Sequence, residues 1–151
     1  MAIREILTQG DPVLNKVCHP VTKFDEKLAD LMDDLKETLA RANGLGLAAP
    51  QVGILRRAVV VVTADGEMLE LINPEIISQK GKQEGNEGCL SFPGEWGLVV
   101  RPNKVTVKAQ DRYGEEFTMQ GKELLARAFC HEIDHLNGIV FKDLAKEMMK
   151  K

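Results

Sequence analysis

The 151-residue sequence predicts a single domain of the α+β class, spanning residues 1–151. Two segments show helical periodicity, one in the first third of the chain and one near its end. Two other segments alternate apolar and polar residues around turn signals, as β-hairpins do. Because helices and strands do not alternate regularly, the pattern favours α+β over a parallel α/β fold.

The first helix is predicted to begin near Asp25, a residue suited to capping a helix N-terminus. Asn43-Gly44 provides the expected stop signal. Between them, apolar residues recur at helical spacing: Leu28, Leu31, Met32, Leu35 and Leu39. The second helix is predicted from about Lys122 to Asn137 and ends before Gly138.

The strands are predicted around two hairpins. In the first, residues 58–63 and 68–72 flank the turn signal Asp65-Gly66, and in the second, residues 104–120 turn at Tyr113-Gly114. Residues 44–53 (GLGLAAPQVG) contain too much glycine and proline for a regular helix. Residues 82–100 begin as a glycine-rich loop and end as a strand.

Composition narrows the functional classes. A net charge of −3 gives no electrostatic reason to expect binding to a specific nucleic acid or to an anionic membrane. The sequence begins without the apolar run of a signal peptide, and no segment approaches the roughly 20 apolar residues of a membrane helix. The three cysteines form no disulfide framework, so we expect a cytoplasmic protein.

The second predicted helix carries the metal-binding pattern H-E-x-x-H at residues 131–135. On a helical wheel, His135 falls about 40° from His131, at the border between apolar and polar stripes. Glu132 lies next to the apolar stripe, where desolvation should raise its pKa toward the range of a general base. Cys130 falls on the polar stripe with Arg127. The alternative is a chance occurrence of two helical histidines.

A hydrolytic metal usually takes three protein ligands and keeps one position open for water. Candidates for the third ligand are two downstream carboxylates and three thiols: Asp143, Glu147, Cys18, Cys89 and Cys130. Cys130 points about 100° away from His131, and Cys18 is interpreted as a small apolar residue. Cys89 follows a glycine that allows close backbone approach, so it is the best candidate. Its alternative is a buried, inert thiol.

Three separated motifs together resemble the signature motifs of peptide deformylases: GLGLAAPQ at residues 44–51, EGCLS at 87–91 and HEIDHLNG at 131–138. Weaker similarity extends from residue 11 to residue 144. The resemblance implies antiparallel sheets packed around a central metal-binding helix. It also implies removal of the formyl group from N-formylmethionine on newly made chains, with release of formate.

The resemblance further implies roles for individual residues. The implied metal ligands are Cys89, His131 and His135. Glu132 would be the general acid and base, while Gln51 and the backbone N–H of Leu90 would face the developing oxyanion. Leu45 and Gly46 would offer backbone groups to a substrate that adds as a strand.

Two further features are implied or suggested near the site. Glu87 and Arg101 correspond to a family ion pair that braces the cysteine loop; the alternative is a surface pair of little energetic value. A pocket for the methionine side chain could include four apolar residues that could equally belong to the core: Leu45, Phe92, Phe129 and Ile133. Trp96 stands where some relatives have a basic residue.

Two imidazoles and one thiolate suit Fe²⁺, Zn²⁺, Co²⁺ or Ni²⁺, and the resemblance implies one Fe²⁺ per chain. The implied partners are N-formylmethionyl peptides and, transiently, the ribosome. Many bacterial members continue into a long basic C-terminal helix, whereas the residues after Leu144 predict none. We therefore expect a short form in which ribosome docking through that helix does not apply.

Two other functions fit part of the pattern. A metalloprotease with the same H-E-x-x-H motif would cut unformylated peptides and would use a downstream carboxylate as its third ligand. A non-catalytic module with structural zinc would need four protein ligands and no open position.

Overall fold

The computed structural model describes residues 2–150, so Met1 and Lys151 of the predicted 1–151 domain lie outside the described residues. The described chain contains two α-helices, and the rest of its regular structure is mainly β. In chain order the elements are α1 (Glu26–Ala42), β1 (Gly46–Ala48), β2 (Ala58–Val62), β3 (Met68–Lys80), β4 (Gln83–Glu87), β5 (Glu95–Arg101), β6 (Lys104–Gln110), β7 (Glu116–Lys122), α2 (Leu124–Leu136) and β8 (Glu147–Lys150).

Helix α1 begins and ends on its predicted signals. The Asp25 side chain accepts a hydrogen bond of 3.1 Å from the backbone N–H of Leu28, which satisfies one of the free N–H groups of the first turn. At the other end, Asn43 adopts a left-handed conformation with φ 56° and ends the helix. Asn43, rather than the following glycine, therefore supplies the positive φ.

Helix α2 begins slightly later than expected. Residue 122 still pairs in β7, and Glu123 has a positive φ of 54°, which is incompatible with a right-handed helix. The helix packs across the larger of two sheets and also contacts β5 of the smaller one. This central position matches the expected arrangement.

Both sheets are antiparallel. The larger has the strand order β1-β2-β3-β6-β7, and the smaller has the order β4-β5-β8. The two predicted hairpins are confirmed as β2–β3 and β6–β7. Strand β1 lies at an edge of the larger sheet, and among residues 2–150 it pairs with β2 alone.

Strand β3 extends beyond its predicted end. It continues past Asn73 and Pro74 to residue 80 with two shifts of register against β6. Asn73 has a φ of 52°, and its side chain accepts a hydrogen bond of 2.8 Å from the Val21 N–H. This contact with a distant segment supports a backbone conformation that would otherwise interrupt the strand.

Helix α2 is buried on more faces than the helical wheel indicated. Arg127 and Cys130, both assigned to its polar stripe, are 7% and 5% exposed. Cys130, which was assigned to the polar stripe, instead belongs to a core cluster with Cys18 and Val59. Residues of β4 and β5 cover the polar stripe, as the contacts of Arg127 with Glu87 and Val99 show. Within residues 2–150, no helix is long and apolar enough to cross a membrane.

Candidate metal centre and active-site cleft

Three side chains from two separate parts of the chain converge at one point. Cys89 follows β4, and the two histidines lie one turn apart on α2. Cys89 Sγ is 3.4 Å from Nε2 of His135, and the two Nε2 atoms of His131 and His135 are 3.3 Å apart. The three donor atoms lie within 4.8 Å of one another, so they could coordinate one ion.

A hydrogen bond to Glu87 fixes the orientation of the His131 ring. Its Nδ1 lies 2.7 Å from Oε2 of Glu87, so Nδ1–H donates to the carboxylate and Nε2 turns its lone pair toward Cys89 and His135. Burial alone would lower the pKa of His131, but hydrogen bonds with Cys89 and Glu87 raise it. A thiolate and two imidazoles suit a divalent transition metal, so this donor set fits the implied cofactor.

Glu87 is buried and surrounded by cations. Arg101 donates to both of its oxygens, from Nε at 3.1 Å and from Nη2 at 2.7 Å, and Arg127 Nη1 donates at 2.9 Å. Burial alone would raise the pKa of Glu87, but hydrogen bonds from His131 and Arg101 lower it to about 2. Glu87 and Arg101 are only 5% and 4% exposed, so the alternative of a surface ion pair is wrong.

Glu132 follows His131 on α2, and its carboxylate is buried. It is 4% exposed, and burial raises its pKa to about 7. Among the described residues, its Oε1 has no hydrogen-bond partner. A Cβ atom at Gly46 would lie 2.6 Å from Glu132 Oε2, so glycine is needed for β1 to pass this close to the carboxylate.

Gln51 is held between β1 and the loop that follows β4 and contains Cys89. Its Oε1 accepts a hydrogen bond of 2.9 Å from the Ala48 N–H. Its Nε2 donates to Ser91 Oγ at 3.1 Å and lies 3.6 Å from Cys89 Sγ. The Gln51 amide nitrogen therefore faces the thiol of Cys89.

A cleft of about 320 Å³ opens over the centre. It is lined by most of the residues that the sequence indicated: Leu45, Gly46, Gln51, Glu87, Cys89, Leu90, Phe92, His131 and Glu132. Leu45 and Trp96 are partly exposed at this cleft, at 50% and 39%. Its lining is mostly apolar around a few convergent polar groups, as in many substrate sites.

The structure does not place Phe129 in the cleft. Phe129 is 1% exposed and belongs to the core cluster, where its ring packs against Gly121. Ile133 belongs to the same cluster. The prediction that Phe129 contacts substrate is therefore corrected: its position on α2 turns it toward the larger sheet. Phe92 does line the cleft and also packs edge-on against Phe141.

Three residues of this region were not identified from the sequence. Arg127 and Asp134 join the buried ion network through Glu87 and Arg101, and Ser91 holds the Gln51 amide. The spacing of Arg127 four residues before His131 was the only available signal, since it places both on neighbouring parts of α2. Taken together, the fold and the centre define a metal-dependent hydrolase.

Comparisons with known proteins identify the family. The family model for polypeptide deformylase matches residues 3–151. The chain is 56% identical over 143 residues to the peptide deformylase of Caldicellulosiruptor bescii, covering 95% of this chain and 86% of that protein. It is 47% identical over 151 residues to that of Carboxydothermus hydrogenoformans, covering 100% and 99%. The chain belongs to the polypeptide deformylase family.

Solved structures agree with this assignment. A peptide deformylase from Legionella pneumophila superposes with a TM-score of 0.92 at 47% identity, covering 95% of this chain and 86% of that one. The peptide deformylase from Thermotoga maritima gives a TM-score of 0.92 at 40% identity, covering 96% and 99%. The expected fold is confirmed.

Proposed function

We propose that the cleft over Cys89, His131 and His135 is where this enzyme removes the N-formyl group from nascent polypeptides and releases formate. The observation that carries the proposal is the convergence of one thiol and two imidazoles, with the buried Glu132 carboxylate beside them. Three protein ligands leave room for water and substrate at the ion. When bound, the metal would polarise the formyl carbonyl and lower the pKa of water.

The residues around the ion then have separate tasks. Glu132 removes a proton from the attacking water and delivers it to the amine nitrogen that leaves. The Gln51 amide and the Leu90 backbone N–H donate hydrogen bonds to the formyl oxygen as negative charge develops there. One donor of this kind typically contributes about 2.7–4 kcal/mol to stabilising the transition state. The products are formate and a free amino terminus.

Substrate orientation follows from the edge position of β1. A peptide can pair with the backbone of Leu45 and Gly46 and so extend the larger sheet by one strand. This pairing places the formyl group near Glu132, because β1 passes directly beside that carboxylate. Phe92 and Leu45 would contact the methionine side chain from the apolar part of the cleft.

We propose Fe²⁺ as the physiological ion, with Zn²⁺, Co²⁺ or Ni²⁺ able to replace it. The thiolate and imidazole donors support this group of metals, and the family resemblance supports iron within it. We also propose that residues 1–151 act as one catalytic domain in the cytoplasm. The enzyme would meet its substrate where nascent chains leave the ribosome.

The observations give no support to the rival functions. The metalloprotease hypothesis requires a downstream carboxylate ligand, yet Asp143 accepts a hydrogen bond from Val140 instead of joining the centre. The structural-zinc hypothesis requires four protein ligands, whereas the cluster found among residues 2–150 has three.

The decisive experiment measures formate release from formyl-Met-Ala-Ser by iron-loaded protein under anaerobic conditions. Acetyl-Met-Ala-Ser and an internal peptide serve as control substrates, and a Cys89→Ala variant serves as the control protein. We expect formate from the formylated peptide with the parent protein only. Equal activity of the Cys89→Ala variant at equal metal content would contradict the proposed ligand set.

A further inference from the structure

Arg127 is a buried cation in the wall of the cleft to which the proposed reaction assigns no task. It lies four residues before His131 on α2 and is 7% exposed. Its Nη1 donates to Glu87 Oε1 at 2.9 Å, and its Nη2 donates to the carbonyl oxygen of Val99 at 3.2 Å. The side chain thus connects α2 with β4 and with β5.

The carboxylate of Glu87 has two hydrogen-bond contacts at each oxygen. Oε1 accepts from Arg101 Nε at 3.1 Å and from Arg127 Nη1 at 2.9 Å. Oε2 accepts from Arg101 Nη2 at 2.7 Å and faces His131 Nδ1, also at 2.7 Å. An ionised carboxylate has about four lone-pair sites, so these contacts fill it. Loss of Arg127 would leave one site unfilled and would reduce the restraint on carboxylate rotation.

Arg127 also balances the charge of this buried group. Arg101 is shared between two carboxylates, because its Nη1 donates to Asp134 at 2.6 Å while its other nitrogens hold Glu87. Two guanidinium groups therefore face two carboxylates. Without Arg127, the network behind His131 would carry one excess negative charge in a poorly solvated place, which is energetically unfavourable.

Strand β4 leaves space for this guanidinium. Gly85 and Glu87 are two residues apart on β4, so they share one face of the strand. A Cβ atom at Gly85 would lie 3.2 Å from Arg127 Nη2, closer than most real Cβ contacts. The absence of a side chain at position 85 therefore leaves the space that the Arg127 guanidinium occupies.

We propose that Arg127 is a positioning residue for the metal centre. With Arg101 it locks the Glu87 carboxylate, which in turn holds His131 Nδ1–H and aims Nε2 at the ion. The inference rests on the ligand set of the proposed function. It concerns metal binding directly, because a rotated His131 would present its lone pair poorly.

The test measures Co²⁺ affinity by spectral titration against a competing chelator. We expect Arg127→Met to bind Co²⁺ about 10–100-fold more weakly than the parent, the range found when groups supporting a metal ligand are removed. The Co²⁺ absorption bands of the variant should also change in position or intensity. Arg127→Lys keeps the charge and should recover part of the affinity.

Arg112→Met is the matched control. Arg112 is also a mostly buried arginine that holds a carboxylate with two donors, at 2.9 Å and 2.6 Å to Glu70, but it does not line the cleft. We expect its replacement to lower the Tm and to leave Co²⁺ affinity within about twofold of the parent. This comparison separates a positioning role from a general loss of stability.

Gly85→Ala is a milder second variant that retains Arg127 but displaces its guanidinium. We expect a smaller loss of Co²⁺ affinity than in Arg127→Met. Unchanged affinity and spectra in both variants would overturn the inference. Failure of the ligand set on which the proposed function depends has a different signature, since the parent protein itself would then show no Co²⁺ bands from thiolate and imidazole ligation. Failure of the catalytic proposal alone would show as an absence of formate release by a parent protein that binds Co²⁺ with those bands.

Discussion

At the scale of single residues, Glu132 differs from the other buried carboxylates near the metal centre. Glu87 has two hydrogen-bond contacts at each oxygen, whereas Glu132 Oε1 has no partner among residues 2–150. Burial raises the pKa of Glu132 to about 7 and hydrogen bonds lower that of Glu87 to about 2. These opposite shifts suit the different tasks that we propose for the two carboxylates: proton exchange for Glu132 and a permanent negative charge for Glu87.

We predict that Glu132→Gln retains its metal but loses at least about 10²-fold in the rate of formate release, because an amide cannot accept and return a proton. Formate release and metal content are measured on the same preparation. A metal-loaded Gln variant with near-parent activity would contradict the proton-transfer role.

The sequence identified the central residues and one supporting ion pair, Glu87 with Arg101, but not the further contacts of that pair. His131, Glu132 and His135 were found because a helical repeat sets their directions locally. The contacts of Glu87 come from two other elements, β5 and α2, so no periodicity in one segment could indicate them. Phe129 was misplaced because its spacing is compatible with both the cleft and the core, and only the position of the larger sheet distinguishes the two.

At the scale of elements, β1 brings the proposed substrate-binding edge next to Glu132, the proposed general base. The contact depends on Gly46, since a Cβ there would lie 2.6 Å from the Glu132 oxygen. We predict that Gly46→Ala lowers kcat/KM by about tenfold or more, because small displacements of catalytic groups have large effects on rate. Steady-state kinetics with formyl-Met-Ala-Ser measure the effect. Unchanged metal content is the control, and unchanged kcat/KM would contradict this account of β1.

Helix α1 offers a test of stability separate from catalysis. Asp25 caps the helix through the Leu28 N–H, so Asp25→Ala should lower the free energy of unfolding by about 1 kcal/mol. Asp25→Asn preserves an acceptor oxygen and should remain close to the parent. Urea unfolding compares the three proteins, and we expect equal kcat values in all of them. A destabilised Asn variant would show that charge, rather than capping, matters here.

The elements found from the sequence are those with local signals. Helix α1 has a cap and an apolar repeat, and both confirmed hairpins have turn residues at their tips. Strand β8 and the extension of β3 were missed, because each depends on a partner distant in sequence. Strand β8 pairs with β5, and the irregular part of β3 is supported by Val21.

At the scale of the whole molecule, a second ion network ties α1 to the larger sheet. Glu70 on β3 accepts hydrogen bonds from Arg112 at 2.9 Å and 2.6 Å and forms an ion pair of 2.6 Å with Lys36 on α1. Arg112 also reaches Asp33 on α1 at 2.8 Å. Burial alone would raise the pKa of Glu70, but hydrogen bonds from Arg112 and Lys36 lower it below the ordinary value of a glutamate.

Because the pKa of Glu70 is lowered on folding, its contribution to the stability of the protein depends on pH. A carboxylate whose pKa is lower in the folded state contributes stability above its unfolded pKa and loses that contribution as pH falls through the folded pKa. We therefore predict that Glu70→Gln is less stable than the parent at pH 7 and that the difference shrinks below about pH 4.5. Urea unfolding at pH 7 and pH 3 measures it. A difference that does not change with pH would contradict the assignment.

Cys89 is more accessible to solvent than the other two thiols of the chain. Cys18 and Cys130 are buried, and burial raises the pKa of both, whereas Cys89 is partly exposed. An alkylating reagent such as iodoacetamide should therefore modify Cys89 first, and a bound ion should shield it. The labelling rate, followed by peptide mass spectrometry, would then report what fraction of a preparation is metal-loaded without any assay of turnover.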